Sequence, residues 1–356
     1  MNLFFRNKRI SSILTVLPKR ISYFDDEMEK FNFSKSQSNK LKSIMGYNKH
    51  RIIDNQTCSS DLCIYGINKL KEENIINFDE IDALVVITQS PDYFMPPTSS
   101  IIHGALNLKK DMICIDINQG CAGYIIGLIE AFMLLDQPFI NKVALCNVDI
   151  LSKKVSSQDR NSYPLIGDGA AITIVERATE NNKIFGVIKV DGSRADLLMI
   201  PAGGFKKPSS SETAIIIEDD KGNFRAEDHL VMKGDLVFNF VQTEVPPMLE
   251  DLLSYANISK EDIDYYMFHQ PNRFMLQKLA QSINVPELKM PNNIVENFGN
   301  ASGVTIPTAI CYNLGNQLLS ENFTMCLAGF GVGLTWAGLI MDIGNLNYCN
   351  ISEYDI

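Results

Sequence analysis

Three residues combine a reactive or polar side chain with a position at a sharp backbone turn: Cys121, His269 and Asn300. Cys121 lies in Asp116-Ile-Asn-Gln-Gly-Cys-Ala-Gly123, between an apolar strand pattern and an apolar helical pattern. A thiol at a helix start meets the positive end of the dipole and unpaired N–H groups, which lower its pKa and favour the nucleophilic thiolate. The competing reading is a small buried hydrophobe, which is how Cys114, Cys146 and Cys326 are read inside their strands. His269, in His-Gln-Pro-Asn272, ends a strand pattern and precedes a helix, where open α/β sheets gather their functional groups. His50, His103 and His229 lack that context and read as surface or structural residues. Asn300, in Asn297-Phe-Gly-Asn-Ala-Ser-Gly303, opens another helical pattern, as a side-chain donor or as a simple N-cap. The segment Ala328-Gly-Phe-Gly-Val-Gly333 can turn backbone N–H groups toward an oxyanion and lacks the Gly-Lys-Ser/Thr ending of a phosphate loop.

The elements that must position these residues alternate between β-branched runs and helical periods, the order of an α/β protein. Strands are expected at 81–88, 112–118, 142–148, 170–175, 184–190, 264–268, 323–327 and 334–341. The run 10–17 is expected to be the first strand. Helices are expected at 61–73, 99–108, 121–135, 227–256, 273–282 and 302–319, with Pro246-Pro247 kinking or splitting the fourth. The sequence also repeats itself. Glu80-Ile-Asp-Ala-Leu-Val-Val-Ile-Thr-Gln89 matches Asp262-Ile-Asp-Tyr-Tyr-Met-Phe-His-Gln270, Cys121-Ala-Gly123 matches Ala301-Ser-Gly303, and Val143-Ala-Leu-Cys146 matches Phe323-Thr-Met-Cys326. All three pairs lie about 180 residues apart in the same order, which implies two copies of one βαβ-rich unit with their helix starts facing across a pseudo-twofold axis.

The 356 residues are 46% hydrophobic and 21% charged, which is globular composition, and no apolar run is long enough to span a bilayer. A net charge of −10 argues against nucleic-acid binding. Eight cysteines without a CxxC pair or zinc spacing read as reduced thiols in a cytoplasm, and no metal site is expected.

Together these residues resemble the thiolase superfamily and, within it, the β-ketoacyl-acyl-carrier-protein synthase III family. The resemblance rests on the Cys121 turn, Asp159-Arg160, Gly167-Asp-Gly-Ala170, Asp191-Gly-Ser193 with Leu197-Leu198 and Pro201, His269-Gln-Pro-Asn272, Gly299-Asn-Ala-Ser302 with Pro307, and Gly329-Phe-Gly-Val-Gly-Leu-Thr-Trp336. It implies an α/β, thiolase-like five-layered fold of two fused similar halves, residues 1–177 carrying the cysteine and 178–356 the histidine and asparagine. It further implies a homodimer and ping-pong chemistry. Cys121 would take an acyl group from a thioester; His269 and Asn300 would hold the enolate of a decarboxylating malonyl thioester; backbone N–H groups of Cys121 and Val332 would form the oxyanion hole. No bound cofactor is implied, the substrates being acyl-coenzyme A or acyl-carrier-protein thioesters.

Where biosynthetic thiolases carry a second catalytic cysteine in the last glycine loop, this chain has Gly-Phe-Gly-Val-Gly, with Cys326 set back in the strand, which disfavours thiolysis. The family's coenzyme A-binding tryptophan and arginine align with Lys40 and Ile44, shifting weight toward a carrier-protein donor. A specialised lipid, polyketide or surface-sugar product then fits better than bulk fatty-acid initiation. Arg160 and Arg273, with Lys153, Lys154, Lys206 and Lys207, are candidates for a basic rim facing an acidic carrier. Phe94 and Met95, in Asp92-Tyr-Phe-Met-Pro-Pro97, are expected to line the acyl pocket of a partner subunit. The competing functions are acyl transfer to an amine, hydroxyl or sugar without decarboxylation, and a catalytically silent partner subunit.

Overall fold

The computed structural model describes residues 1–179 and 181–355. Two large sheets carry the fold. Their strands are β1 (Asn2–Arg6), β2 (Lys8–Pro18), β3 (Ala83–Ile87), β4 (Ile113–Ile117), β5 (Lys142–Asp149), β6 (Gly169–Arg177), β7 (Lys183–Val190), β8 (Tyr265–Phe268), β9 (Asn322–Gly331), β10 (Thr335–Gly344) and β11 (Tyr348–Tyr354). One sheet runs β11-β2-β6-β5-β3-β4, the other β1-β7-β10-β9-β8. Leaving out β11 and β4 from the first sheet and β1 from the second, the two orders correspond strand for strand, β2 to β7, β6 to β10, β5 to β9 and β3 to β8. The pairings agree as well: β3–β5 and β8–β9 are parallel, and β5–β6 and β9–β10 antiparallel.

Two strands lie across the 177/178 division drawn from the repeat. β1 pairs with β7 in the second sheet, and β11 pairs with β2 in the first. Each half therefore lends its terminal strand to the other. The run read as the first strand is the second, because Asn2–Arg6, with Phe5 buried, forms an edge the sequence reading passed over. Tyr348–Tyr354 was also passed over, since its half-exposed polar positions mask the alternation.

The helices complete five layers. α1 (Ser59–Glu72) and α2 (Thr98–Ala105) cover the outer face of the first sheet, and α4 (Gly234–Ala256) and α5 (Arg273–Ser282) that of the second. α3 (Gly123–Leu134) and α6 (Thr305–Leu314) pack between the sheets and contact both. α3 is apolar but for Glu130, with Tyr124, Ile125, Leu128 and Phe132 buried and only Met133 in its last turn exposed, as expected of a helix packed between two sheets. The same layer places both helix starts, and so Cys121 and Asn300, at the centre of the molecule.

Two helix expectations are corrected. α4 starts at Gly234 and continues through Pro246 and Pro247 as one helix. Burial of Val237, Phe240, Val241, Val245, Met248, Leu249 and Leu252 outweighs the two missing donors. The expected helix 302–319 is α6 flanked by two short 3-10 turns, Ser302–Val304 and Gln317–Leu319.

Candidate active site

The nucleophile turn is held by glycines that permit close approach. Gly123 N–H donates to Gly120 O at 2.6 Å, closing the turn over Cys121. Gly331, at φ +157°, faces the sulfur so tightly that a Cβ there would lie 2.8 Å from Cys121 Sγ. Gly331→Ala is therefore expected to depress acylation and iodoacetamide labelling of Cys121 together, by about a hundredfold, as read by intact mass.

Helix α3 begins at Gly123, so Cys121 precedes it by two residues. The expected lowering of the thiol pKa is not found: burial pushes it up to about 11. The backbone N–H groups of Val332 and of Cys121 itself, with the Ser302 hydroxyl, act in the lowering direction, but desolvation outweighs them. Those two N–H groups, expected as an oxyanion hole, do converge on the sulfur.

His269 directly follows β8, its N–H donating to Ala328 O at 2.8 Å. The ring is buried, lies edge-on to Phe330, and sets Nδ1 2.8 Å from Thr305 Oγ1. Burial holds its pKa down to about 3, so the imidazole is neutral at physiological pH. Nδ1 being taken by Thr305, Nε2 is the nitrogen available to the cavity His269 lines. Its ring resonances are expected to stay fixed between about pH 5 and pH 8 in an NMR titration, a range in which an ordinary histidine moves.

Asn300 is locked at both backbone ends, its N–H donating to Leu165 O at 2.8 Å and its O accepting from Gly167 N–H at 3.1 Å. Its side-chain Oδ1 accepts the Ser302 N–H at 2.9 Å, leaving the amide Nδ2 as a donor for the cavity. Behind it, buried His50 contacts Ile166 O through Nδ1 and sets Nε2 3.0 Å from Glu27 Oε1. Hydrogen bonding and the charge of Glu27 raise the His50 pKa against the opposing effect of burial. His50 is thus the structural residue expected, buttressing the strand bridge between Ile166 and Asn300.

Two cavities meet at Cys121. One, of about 420 Å³, is lined by Cys121, His269, Asn300, Arg160, Phe274 and Phe238. The other, of about 620 Å³, passes Cys121 and Asn300 among Leu151, Leu165, Leu198 and Met232. A thioester entering the first cavity would present its carbonyl to the sulfur and send its acyl chain into the second. Among the described residues no cluster of three or more His, Cys, Asp or Glu could hold a metal ion.

Comparison with known proteins bears on this arrangement. A family profile described as 3-oxoacyl-[acyl-carrier-protein (ACP)] synthase III matches residues 115–192, and its C-terminal counterpart matches 253–343. A Campylobacter jejuni protein, provisionally named a 3-oxoacyl-[acyl-carrier-protein] synthase 3, is 32% identical across 98% of both chains. The chain belongs to the 3-oxoacyl-[acyl-carrier-protein] synthase III family. It is an enzyme of the synthase III type, a condensing enzyme with the thiolase fold. A Streptococcus agalactiae β-ketoacyl-[acyl-carrier-protein] synthase III is 30% identical over 85% of this chain and 90% of its own. The crystal structure of a 3-oxoacyl-(acyl-carrier protein) synthase from Burkholderia xenovorans superposes with a TM-score of 0.92 at 31% identity, covering 99% of both chains.

Within this synthase III frame the residues proposed for binding fall in different places. Arg160 lines the smaller cavity, donates to Lys221 O, and stacks over Phe33 with its carbon 4.2 Å from the ring centroid. Arg273 is ion-paired with Glu296 and packs on Gly46, while its neighbour Phe274 faces the cavity. Lys207 pairs with Glu227, and Lys153 donates to Asn55 O and Thr57 O. Lys206 lines the larger cavity. Phe94 and Met95 are exposed, at 73% and 79%, and Phe94 packs on exposed Phe205. Lys40 and Ile44, aligned with the coenzyme A residues, are exposed on the helix Lys35–Met45, and their neighbours Leu41 and Met45 line the smaller cavity.

Three residues near the chemistry escaped the sequence reading. Thr305 orients His269 from 36 residues away, a contact with no local signal. Ser302 has φ +54° beside the sulfur. Asp149 had the clearest trace, a lone carboxylate at the end of an otherwise apolar strand.

Proposed function

We propose that the protein catalyses decarboxylative condensation of an acyl thioester with a malonyl thioester, giving a β-ketoacyl thioester. The observation that carries this reading is the convergence of Cys121, neutral His269 and the oriented Asn300 amide on one cavity. Cys121 attacks the acyl thioester, the N–H groups of Cys121 and Val332 stabilise the tetrahedral oxyanion, and the acyl group stays on sulfur as the carrier thiol leaves. That first half-reaction makes the enzyme an acyltransferase in class. A malonyl thioester then places its carbonyl oxygen against His269 Nε2 and Asn300 Nδ2. In the tautomer that carries its proton on Nε2, His269 joins Asn300 as a neutral donor to an oxygen that gains negative charge as carbon dioxide departs, and the resulting carbanion attacks the acyl group on Cys121. These residues supply each step, so no bound cofactor is invoked.

The donor arrives on an acyl carrier protein or on coenzyme A. The aliphatic lining contributed by Leu41 and Met45 favours the carrier, and Arg160 is the basic residue placed at the shared cavity. A homodimer accords with β4, an edge strand of alternating isoleucines paired only on its β3 side, and with the exposed Tyr93, Phe94, Met95 and Phe205. In that dimer Phe94 and Met95 would enter the partner's acyl pocket. Eight free cysteines accord with a cytoplasmic enzyme, and no helix among the described residues is long and apolar enough to cross a membrane.

The test mixes enzyme, acyl thioester and carboxyl-labelled malonyl thioester. Acyl-Cys121 by intact mass together with labelled carbon dioxide supports condensation. Acylation without carbon dioxide would replace it with simple acyl transfer, and no acylation by coenzyme A or carrier-protein donors would sink both.

A further inference from the structure

The raised thiol pKa poses a question that the proposed function leaves open: what removes the Cys121 proton. His269 shares the cavity, but burial holds its pKa down to about 3, which makes it a poor proton acceptor. Beneath the turn lies Asp149, only 2% exposed, at the carboxyl end of β5. Its Oδ1 accepts the Gln89 N–H at 2.7 Å, with the Thr88 and Ser90 hydroxyls each 3.4 Å away. The Ser302 hydroxyl is buried without a hydrogen-bond partner among the described residues, and Ser302 lines the larger cavity together with Cys121 and with Gln89, whose N–H holds Asp149. Ser302 is only 3% exposed, and Gly303 beside it packs on Gly120 O of the Cys121 turn and on Asn147 near the end of β5, which seats this segment between the two. Ser302 is held at φ +54°, a left-handed conformation uncommon for serine, as part of the second elbow.

We infer that Asp149 accepts the Cys121 proton through the Ser302 hydroxyl as the acyl thioester binds. The inference rests on Cys121 being the nucleophile. In the step, the S–H bond breaks and its proton passes to Ser302 Oγ while the Ser302 proton passes to Asp149. The sulfur electron pair forms the bond to the thioester carbonyl carbon. When the tetrahedral adduct collapses, the bond to the carrier sulfur breaks, and the proton returns along the same route to the departing thiolate. Charge is conserved throughout, because one negative charge moves from carboxylate to sulfur.

Burial raises the Asp149 pKa to about 7 against its hydrogen-bond donors, which suits a base working near neutrality. The groups facing it are Thr88, Gln89 and Ser90 from the turn after β3, Ser302 from the second elbow, and Cys121 from the first. Of these only Cys121 titrates. An ionised Asp149 raises the thiol pKa, so a thiolate formed by expelling the proton to solvent would face that charge, whereas one formed by handing the proton to Asp149 would not.

The test compares two rates at Cys121 by intact mass, across about pH 5 to pH 9, in the full-length protein. Acylation by octanoyl-coenzyme A or acetyl-coenzyme A reports the whole step, and alkylation by iodoacetamide reports thiolate alone. Wild-type acylation should rise through about pH 7 and level off. Asp149→Asn should lose that limb and fall at least about a hundredfold, while alkylation holds or rises because the neighbouring charge is gone. Ser302→Gly, which suits the left-handed backbone, should reproduce the loss with Asp149 intact. An Asp149→Asn acylation rate within about threefold of wild type, with the limb retained, would overturn the inference. So would a parallel fall of acylation and alkylation in both variants, which would assign Asp149 and Ser302 a structural role only. Failure of the wild type to be acylated by octanoyl- or acetyl-coenzyme A and by the same acyl groups on a carrier protein would instead remove the nucleophile reading beneath it.

Discussion

Cys121→Ser is expected to abolish acyl-enzyme formation and to lower overall condensation at least about a thousandfold, with the folded structure retained. The residue is largely buried, reached only from the junction of two cavities, and serine is smaller than cysteine, so the substitution adds no atom to a turn already pressed by Gly331. The loss comes from chemistry. A hydroxyl is a far weaker nucleophile than a thiol at neutral pH, and burial that holds the thiol near 11 would hold a hydroxyl higher still. Intact-mass detection of the acyl adduct after incubation with acyl thioester checks the first claim, and a thermal melt checks the second. A Cys121→Ser variant that still condenses at more than a few per cent of the wild-type rate would remove the covalent intermediate from the mechanism.

Asn300→Ala is expected to separate the two half-reactions. Acylation of Cys121 should stay within a few fold of wild type, because the backbone bonds of residue 300 to Leu165 and Gly167, which shape the elbow, do not need the side chain. Carbon dioxide release should fall about 100- to 1,000-fold, the size expected when one donor to a developing oxyanion is lost. His269→Ala should give the same split, since His269 is placed by Thr305 and the β8–β9 backbone rather than by Cys121. Measuring both half-reactions on one preparation decides the matter. Equal loss of both would move Asn300 and His269 from enolate stabilisation to general support of the site.

Most of the frame that brings these groups together was legible in the sequence, for a physical reason. Buried strands such as Ala83–Ile87 and Lys142–Asp149 read as continuous apolar runs because both faces are covered, and the two copies repeated them at one offset. The parts that were not legible depend on tertiary contact. β1 and β11 are edge strands whose partners lie in the other half, so nothing local marks them. The two prolines of α4 read as a break because propensity acts locally, and the apolar face against the second sheet overrides it.

The same distinction runs through the site. Cys121, His269 and Asn300 stood out because glycine-rich turns flank them at the ends of elements. The expected thiolate did not follow, because the dipole argument omits desolvation, which decides the free-state pKa. Arg273 was a candidate for the basic rim, and its ion pair with Glu296, 23 residues on, is met only in the fold. Arg160 lies at the cavity, but its stacking on Phe33 also needed the structure to be seen.

The central claim is that the acyl group on Cys121 leaves by carbon–carbon bond formation coupled to decarboxylation. The most direct test isolates the acyl-enzyme, removes free donor, and adds carboxyl-labelled malonyl-carrier protein or malonyl-coenzyme A in a single turnover. The account predicts that the acyl mass disappears from Cys121 as one equivalent of labelled carbon dioxide and one of β-ketoacyl thioester appear. Discharge of the acyl group to an amine, hydroxyl or water acceptor, with the malonyl label retained, would contradict it.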